Sequence, residues 1–182
     1  MAPRLISDRM LELFPMQERT KGRHVSDAIT KVMRNLHPER FGTDPIDVVR
    51  ANLGNALERA IINGLAEAYP DRFHRPGELE YRGITGTPDL WDVLNWKTVE
   101  IKLTWASAKR AEDIEDAWFW RYWKQVQAYC KMSGMTKGGL IIIFINGGWE
   151  GGKPGMPVGL EWEDDFTEEQ LDETWEMIEA YA

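Results

Sequence analysis

The first third of the chain contains two stretches in which hydrophobic residues return every three or four positions, the spacing of one helix face. The first stretch runs from Ser26, whose hydroxyl can cap a helix N-terminus, to about Leu36. A loop is expected over residues 38–43. The second stretch starts at Asp44, which is followed by proline, and continues to about Tyr69. Two amphipathic helices are therefore predicted here.

From residue 79 onward, hydrophobic and polar residues alternate in the way that β-strands require. Residues 87–94 and 97–104 flank a short polar turn and should pair as an antiparallel hairpin. Residues 139–146 are β-branched and bounded by glycines, which is typical of a buried central strand. Shorter strands are predicted over residues 79–81 and 158–162.

Two more helices complete the pattern. Residues 111–133 form one long segment rich in aromatic side chains, and Thr167 with Gln170 makes a capping box for a helix that should end near Tyr181. The order of helices and strands implies an α/β fold in which a central mixed β-sheet is flanked by helices.

Composition narrows the class of protein. Hydrophobic residues make up 43% of the chain and charged residues 29%, as in a folded, soluble domain. The net charge of -8 argues against coating nucleic acid by bulk charge, but an enzyme can still hold phosphate locally with a metal and a few basic residues. Cys130 is the only cysteine, which excludes an intrachain disulfide and an iron–sulfur cluster and fits a cytoplasmic setting. The longest apolar run, residues 140–145, is too short to span a bilayer.

The predicted strand 97–104 carries charged residues where a strand interior is otherwise apolar. Glu100 and Lys102 share one strand face and lie about 6–7 Å apart along it. A buried carboxylate or ammonium is costly unless it is paired or bound to a metal. Asp89 opens the partner strand of the hairpin, so its carboxylate can lie beside Glu100. Two hard oxygen ligands in one cleft suit Mg²⁺ or Mn²⁺, and the adjacent amine can hold a water near them.

Taken alone, this triplet also fits a hairpin with a solvated face and a surface contact between Glu100 and Lys102. Three further features favour chemistry. Glu58 places a carboxylate within a largely apolar helix, a basic and polar loop follows the strand at residues 105–110, and a later helix carries Gln125 and Tyr129 one turn apart.

Together these residues resemble the motifs of the PD-(D/E)XK nuclease superfamily. The matching segments are Gly54 to Glu58, Gly86-Thr87-Pro88-Asp89, Val99-Glu100-Ile101-Lys102 and Gln125-Val126-Gln127-Ala128-Tyr129. Their order is most similar to the branch that holds the RecB nuclease domain, the lambda-type exonucleases and the YqaJ viral recombinases. Some RecB-like members have a metal-binding histidine and a cysteine-bound iron–sulfur cluster. The presence of Glu58 at the matching position and the lack of those cysteines favour the lambda-like side.

The resemblance implies a role for each residue of the predicted site. Asp89 and Glu100 would be catalytic metal ligands, and Glu58 would be an outer or second ligand. Lys102 would position the attacking water, while Gln125 would orient the lysine or a DNA phosphate. The implied cofactor is Mg²⁺ or Mn²⁺, the implied partner is DNA, and processive members of this branch suggest a homo-oligomer.

The resemblance spans roughly residues 54–129 and predicts a single nuclease domain over residues 1–182. Within it, residues 1–44 should form an N-terminal helical extension, residues 45–146 the catalytic core, and residues 147–182 a C-terminal hairpin and helix. Four residues in or near the core are candidates for contact with DNA. They are Arg110, Arg121, Lys124 and Tyr129.

Several other polar residues are predicted to lie outside the site. Asp92 should face away from Asp89 and be a surface residue, because the two are separated by three positions in a strand. The histidines His24, His37 and His74 sit in polar segments without ligand spacing and are predicted to be solvated.

Three functions from different classes are compatible with this sequence. The first is a metal-dependent exonuclease that acts on DNA ends in recombination or viral genome processing, in the host cytoplasm if the chain is viral. The second is a structure- or sequence-specific endonuclease of the resolvase or restriction type. The third is a DNA-binding or assembly protein without turnover. The complete set of Asp89, Glu100 and Lys102 favours an enzyme, and the glutamine motif favours the first function over the second.

Overall fold

The computed structural model describes residues 20–41, 48–108, 117–148 and 155–182. The predicted helix start at Asp44 and the first part of the predicted helix 111–133 lie outside these residues. The strands are β1 (Arg23–His24), β2 (Phe73–His74), β3 (Leu79–Tyr81), β4 (Ile84–Gly86), β5 (Leu90–Asp92), β6 (Lys97–Thr104), β7 (Lys137–Phe144) and β8 (Val158–Asp165). The helices are α1 (Val25–Leu36), α2 (Pro38–Phe41), α3 (Val48–Ala68), α4 (Ala117–Ser133) and α5 (Glu168–Tyr181).

The strands form two sheets, and the larger one has the order β2-β5-β6-β7-β8. β6 and β7 run parallel, while the other neighbours in this sheet are antiparallel. The smaller sheet has the order β1-β4-β3, with β1 parallel to β4. The fold is therefore mixed α/β with a mixed central sheet, as the sequence predicts.

Helices cover both faces of the larger sheet. On one face α4 and α5 pack against β7, where Leu140 and Ile142 meet Val126 and Leu171 in a buried cluster. On the opposite face Ile62 of α3 packs against strand residues of β5 and β6 in a second cluster. A third cluster joins α1 to α4 and α5. Among the described helices, none has the length and apolar character needed to cross a membrane.

The predicted hairpin is confirmed, with Leu90 paired to Val99 across β5 and β6. The predicted strand 87–94 is longer than the observed β5, because the chain leaves the small sheet after β4 and enters the large sheet at Leu90. The central strand is confirmed as β7, which lies between β6 and β8. The Thr167–Gln170 capping box is also confirmed at the start of α5.

Two predictions near α1 are wrong. The helix begins at Val25, and its N-cap is His24 rather than Ser26. Ser26 lies inside the first turn, where its backbone carbonyl accepts a hydrogen bond from the Thr30 hydroxyl at 2.8 Å. The predicted loop at residues 38–43 contains the short helix α2, since proline tolerates the first helical turn, where no backbone N–H bond is needed.

Candidate active site

A cleft of about 280 Å³ opens beside the middle of β6, between the small sheet and helices α1, α3 and α4. Six residues predicted from the sequence to belong to the site line this one cleft. They are Glu58, Asp89, Glu100, Lys102, Gln125 and Tyr129. The structure thus brings together side chains that are up to 71 positions apart in the sequence.

β6 supplies the central pair of charges. Alternation along the strand turns Val99 and Ile101 towards α3 and turns Glu100 and Lys102 towards the cleft. Glu100 is only 1% exposed, and its Oε1 atom accepts a hydrogen bond from the Lys102 ammonium. The second carboxylate oxygen of Glu100, Oε2, is buried without a partner among the described residues. One oxygen of this carboxylate is therefore available to a ligand.

Asp89 reaches the same cleft from the segment that links the two sheets. The Ile101 backbone N–H donates a hydrogen bond to Asp89 Oδ2 at 2.8 Å, which fixes the carboxylate against β6. Gly86 precedes it at the end of β4 and lies directly under α4. A Cβ atom at Gly86 would come within 2.7 Å of the Tyr129 ring and 3.2 Å of Val25. Only glycine allows the chain to pass this close to α1 and α4.

Glu58 enters the cleft from α3, on the other side of β6. Its Oε1 atom accepts a hydrogen bond from the Leu103 backbone N–H at 2.7 Å. This bond links the middle of α3 to the strand that carries Glu100 and Lys102. The carboxylate is thereby held at the cleft wall, as predicted for the helical acid of the motif.

The clustering of three carboxylates perturbs their titration. Burial and the neighbouring Asp89 together raise the pKa of Glu100 to about 8, against the opposing effect of Lys102. Burial also raises the pKa of both Asp89 and Glu58, again opposed by Lys102. Burial works to lower the pKa of Lys102, but the three carboxylates raise it well above its usual 10.5. The lysine stays charged, whereas the carboxylates compete for protons.

α4 covers the pair of charges with Gln125, Tyr129 and Tyr122. Gln125 Nε2 donates a hydrogen bond to the Tyr129 hydroxyl at 2.9 Å. The Lys102 ammonium lies 5.9 Å from the centre of the Tyr122 ring. Tyr129 is buried at 3% exposure, and this burial raises its pKa, so the phenol stays neutral. Tyr129 contributes packing and a hydrogen bond to the cleft wall.

The remaining candidates for contact with DNA are Lys124, Arg121 and Arg110, and the first two are not among the described residues that line the cleft. Lys124 points towards α5, where its ammonium donates to Gln127 Oε1 at 2.8 Å and to the Thr174 hydroxyl at 3.0 Å. Burial lowers the pKa of Lys124. This position favours a packing role. Arg121 donates to the Tyr122 hydroxyl at 2.6 Å, and Arg110 lies outside the described residues.

The prediction that Asp92 is a surface residue is wrong. Asp92 is 0% exposed, and its Oδ2 atom accepts hydrogen bonds from Arg72 Nε at 3.0 Å and Nη2 at 2.7 Å. The residue does lie outside the cleft, on the sheet face of Leu90 and Val99. Although burial alone would raise the pKa of Asp92, the bonds from Arg72 and Asn95 hold it below its usual range. The sequence carries no signal for this pair.

His24 is a cleft residue that the sequence did not assign to the site. It lines the cleft at the start of α1, with Nδ1 3.0 Å from the Thr85 hydroxyl and Nε2 2.8 Å from the Thr20 carbonyl oxygen. The prediction that it is a solvated histidine is therefore incorrect. Its position as the last residue before an amphipathic helix was the only available signal.

None of the described residues forms a ready-made metal site in which three Asp, Glu, His or Cys side chains already surround one point. The three cleft carboxylates instead have backbone or lysine hydrogen bonds on one oxygen each.

Comparison with known proteins shows which solved structures have a similar fold. No protein-family model matches the sequence, and no curated protein matches it significantly. Among solved structures, the chain is similar to a phage-related exonuclease from Haemophilus somnus 129PT, with a TM-score of 0.53 and 13% identity over 86% of this chain and 78% of that one. It is also similar to an alkaline exonuclease from Laribacter hongkongensis, with a TM-score of 0.53 and 16% identity over 88% and 85% of the two chains.

These neighbours have nuclease folds, and at this level of identity the likeness concerns the fold. The mixed α/β architecture that the sequence predicts is therefore confirmed as a fold that this chain shares with the two exonucleases.

Proposed function

We propose that this protein is a divalent-metal-dependent deoxyribonuclease that hydrolyses phosphodiester bonds from DNA ends. The observation that carries the proposal is the buried contact of Lys102 with Glu100, in a cleft that also holds Asp89 and Glu58. Two structural neighbours are named as exonucleases, and the Laribacter enzyme has also been solved in complex with dAMP. Both facts support a nucleotide substrate for the shared fold.

The cleft suits a hard divalent cation. Glu100 Oε2 is a buried acceptor without a partner among the described residues, and carboxylate oxygens are the ligands that Mg²⁺ and Mn²⁺ prefer. Asp89 and Glu100 would hold the cation, with Glu58 as an outer or second ligand. When bound, such a cation supplies Lewis-acid activation of a phosphate and stabilises developing negative charge.

Lys102 is the group of this chain that acts on the reacting atoms. Its ammonium already donates to Glu100, and the three carboxylates keep it charged. A fixed ammonium at this point can orient a water for attack and stabilise the negative charge that develops on the phosphate. Gln125 holds the cleft wall through Tyr129, so its role is positioning of this arrangement.

The preference for ends, and a role in recombination or viral genome processing, are the finer parts of the proposal. They rest on the lambda-like order of the motifs and on the exonuclease names of the neighbours. We also propose that the protein works as a homo-oligomer, as processive members of this branch do, and that it acts in the cytoplasm, which is that of the host cell if the chain is viral.

A comparison of linear and covalently closed circular DNA tests the function directly. Both DNAs are incubated with the protein in the presence and absence of Mg²⁺, and the linear DNA is labelled at its ends. We expect loss of the linear DNA only with Mg²⁺, and no cleavage of the closed circle. Cleavage of both forms at the same rate would favour the endonuclease alternative, and cleavage of neither would favour the binding protein.

A further inference from the structure

A second groove, of about 670 Å³, adjoins the active-site cleft on the outer side of α1. His24 lines both the groove and the cleft, so the two depressions meet at the start of α1. The side chains of Arg23, Lys31 and Arg34 line the groove, with Asp27 as the acidic side chain among them. The groove therefore has an excess of positive charge beside a cleft that is rich in carboxylates.

The spacing of these residues makes the positive charge continuous. Asp27, Lys31 and Arg34 follow one another at intervals of four and three positions, which places them on one face of α1, and Arg23 precedes the helix in β1. The opposite face of α1 is buried against α4 and α5. From His24 to Arg34 the helix rises about 15 Å, which corresponds to about four phosphates along one strand of a duplex.

Lys31 and Arg34 are exposed and have no hydrogen-bond or ion-pair partner among the described residues. The exposed Arg82, by contrast, is paired with Glu179. A solvated helix face would be the simplest account of two such residues. Their position in a groove that adjoins the cleft, and their lack of partners among the described residues, point to an external anion instead.

The distribution of charge over the chain supports the same inference. Residues 20–36 contain four Lys or Arg and one Asp, whereas residues 161–182 contain ten Asp or Glu and no basic residue. Because the whole chain has a net charge of -8, a polyanion is repelled by most of its surface. Among the described residues beside the cleft, those of the α1 groove have an excess of positive charge.

We propose that the α1 groove binds the phosphate backbone of the DNA whose reacting phosphodiester lies in the cleft, with Lys31 and Arg34 as phosphate contacts. This inference rests on the proposed nuclease function and adds the path of the substrate. Contacts of this kind position DNA without reading its sequence, so binding through the groove is independent of sequence.

The test compares wild type with Lys31→Gln/Arg34→Gln by fluorescence anisotropy on a labelled oligonucleotide, single-stranded or duplex, in Ca²⁺. Loss of two phosphate contacts should reduce the slope of log affinity against log salt by about 1.8 for duplex and about 1.4 for single-stranded DNA. Between about 50 mM and about 200 mM salt, wild type should therefore lose about tenfold more duplex affinity than the variant. The form of DNA that occupies the groove is the one whose slope falls by the full amount expected for that form.

Lys131→Gln/Lys137→Gln is the matched control, because it removes the same charge from lysines that are paired to acids on the other side of α4 and at the start of β7. The control should keep the wild-type slope. Three results would each contradict the proposal that the α1 groove binds DNA. They are an unchanged slope in Lys31→Gln/Arg34→Gln, an equal loss of slope in the control, and the absence of any DNA binding by wild type.

Cleavage assays on the same proteins separate this inference from the function on which it rests. If wild type cleaves DNA and the groove variant keeps the wild-type slope, the α1 groove does not bind DNA, but the proposed nuclease function is retained. If the slope of the groove variant falls as expected but wild type does not cleave DNA in Mg²⁺ or Mn²⁺, the proposed nuclease function is wrong, but DNA binding by the groove is retained.

Discussion

Glu100 has the most perturbed environment of the cleft residues, because a carboxylate that is 1% exposed lies near two other carboxylates and one ammonium. In the metal-free protein the free energy of unfolding therefore depends on the protonation of Glu100. The folded protein holds a proton on Glu100 up to a pH of about 8, whereas the unfolded chain releases it near 4.5. Between these values the folded state binds more protons than the unfolded state.

The stability of the metal-free protein should therefore fall as the pH rises through this window. Asp89 and Glu58 contribute with the same sign, since burial raises their pKa as well. Lys102 does not contribute, because its pKa lies well above 10.5. Thermal unfolding in the presence of a chelator should show the midpoint falling from pH 5 to about pH 8. Glu100→Gln should flatten this dependence, and an unchanged curve in that variant would contradict the burial of an ionisable Glu100.

Metal binding should reverse this loss of stability, because a cation binds the deprotonated carboxylates and stabilises the folded state. Calorimetric titration with Mn²⁺ should give binding to wild type and little binding to Asp89→Asn/Glu100→Gln. The matched control is Asp164→Asn/Asp165→Asn, which removes two exposed acids at the end of β8 and should bind like wild type. The same heat for wild type and the cleft variant would exclude these two carboxylates as the ligands.

At this scale, the residues that the sequence could predict are those that break a strand or helix pattern. Glu100 and Lys102 are charges in an apolar strand, and Glu58 is an acid in an apolar helix. His24 and Asp92 could not be predicted, because their environments depend on partners that are far away in the sequence. Thr85 is 61 positions from His24, and Arg72 is 20 positions from Asp92.

Among the elements, β4 decides where Asp89 lies. Gly86→Ala would place a methyl group 2.7 Å from the Tyr129 ring and 3.0 Å from the sulfur of Met132, so that β4 or α4 must move. We expect a loss of about 1–3 kcal/mol in the free energy of unfolding. We also expect a loss of turnover, since Asp89 lies only three positions after Gly86.

Gly138→Ala separates these two effects. A methyl group at Gly138 in β7 would come within 2.8 Å of Phe166, in a core cluster away from the cleft. This variant should lose comparable stability, as measured by chemical denaturation, and should keep its turnover per folded molecule. If Gly86→Ala keeps full turnover at a temperature where it is folded, β4 does not set the position of Asp89.

A helix or strand could be predicted where the residues that determine it are neighbours in the sequence. Some elements are predicted by residues that are close together in the sequence, and the structure contains them. They are the amphipathic α1, the central strand β7 and the capping box of α5. The break between β4 and β5 is not local. Residues 87–94 are predicted as one strand, but the chain passes from the small sheet to the large one before Leu90.

For the whole molecule, the order of motifs on the elements predicted the fold better than composition did. A net charge of -8 is unusual for a protein that binds DNA, and only the structure shows that Arg23, Lys31 and Arg34 surround one groove. The cleft combines elements from residues 20–129, since α1, α3, β6 and α4 each supply at least one wall residue. Turnover should therefore depend on how these elements pack together.

Single-turnover cleavage by Lys102→Ala is the most direct test of the nuclease assignment. Lys97→Met is the matched control, because Lys97 is a buried lysine on the opposite face of the same strand and is paired with Glu161 and Glu163. Lys102→Ala should lose about 10²–10⁴-fold in cleavage rate while its DNA affinity in Ca²⁺ stays close to wild type. Lys97→Met should lose stability and keep its rate per folded molecule. A Lys102→Ala variant that cleaves DNA at a near wild-type rate would contradict the assignment of this cleft as the active site.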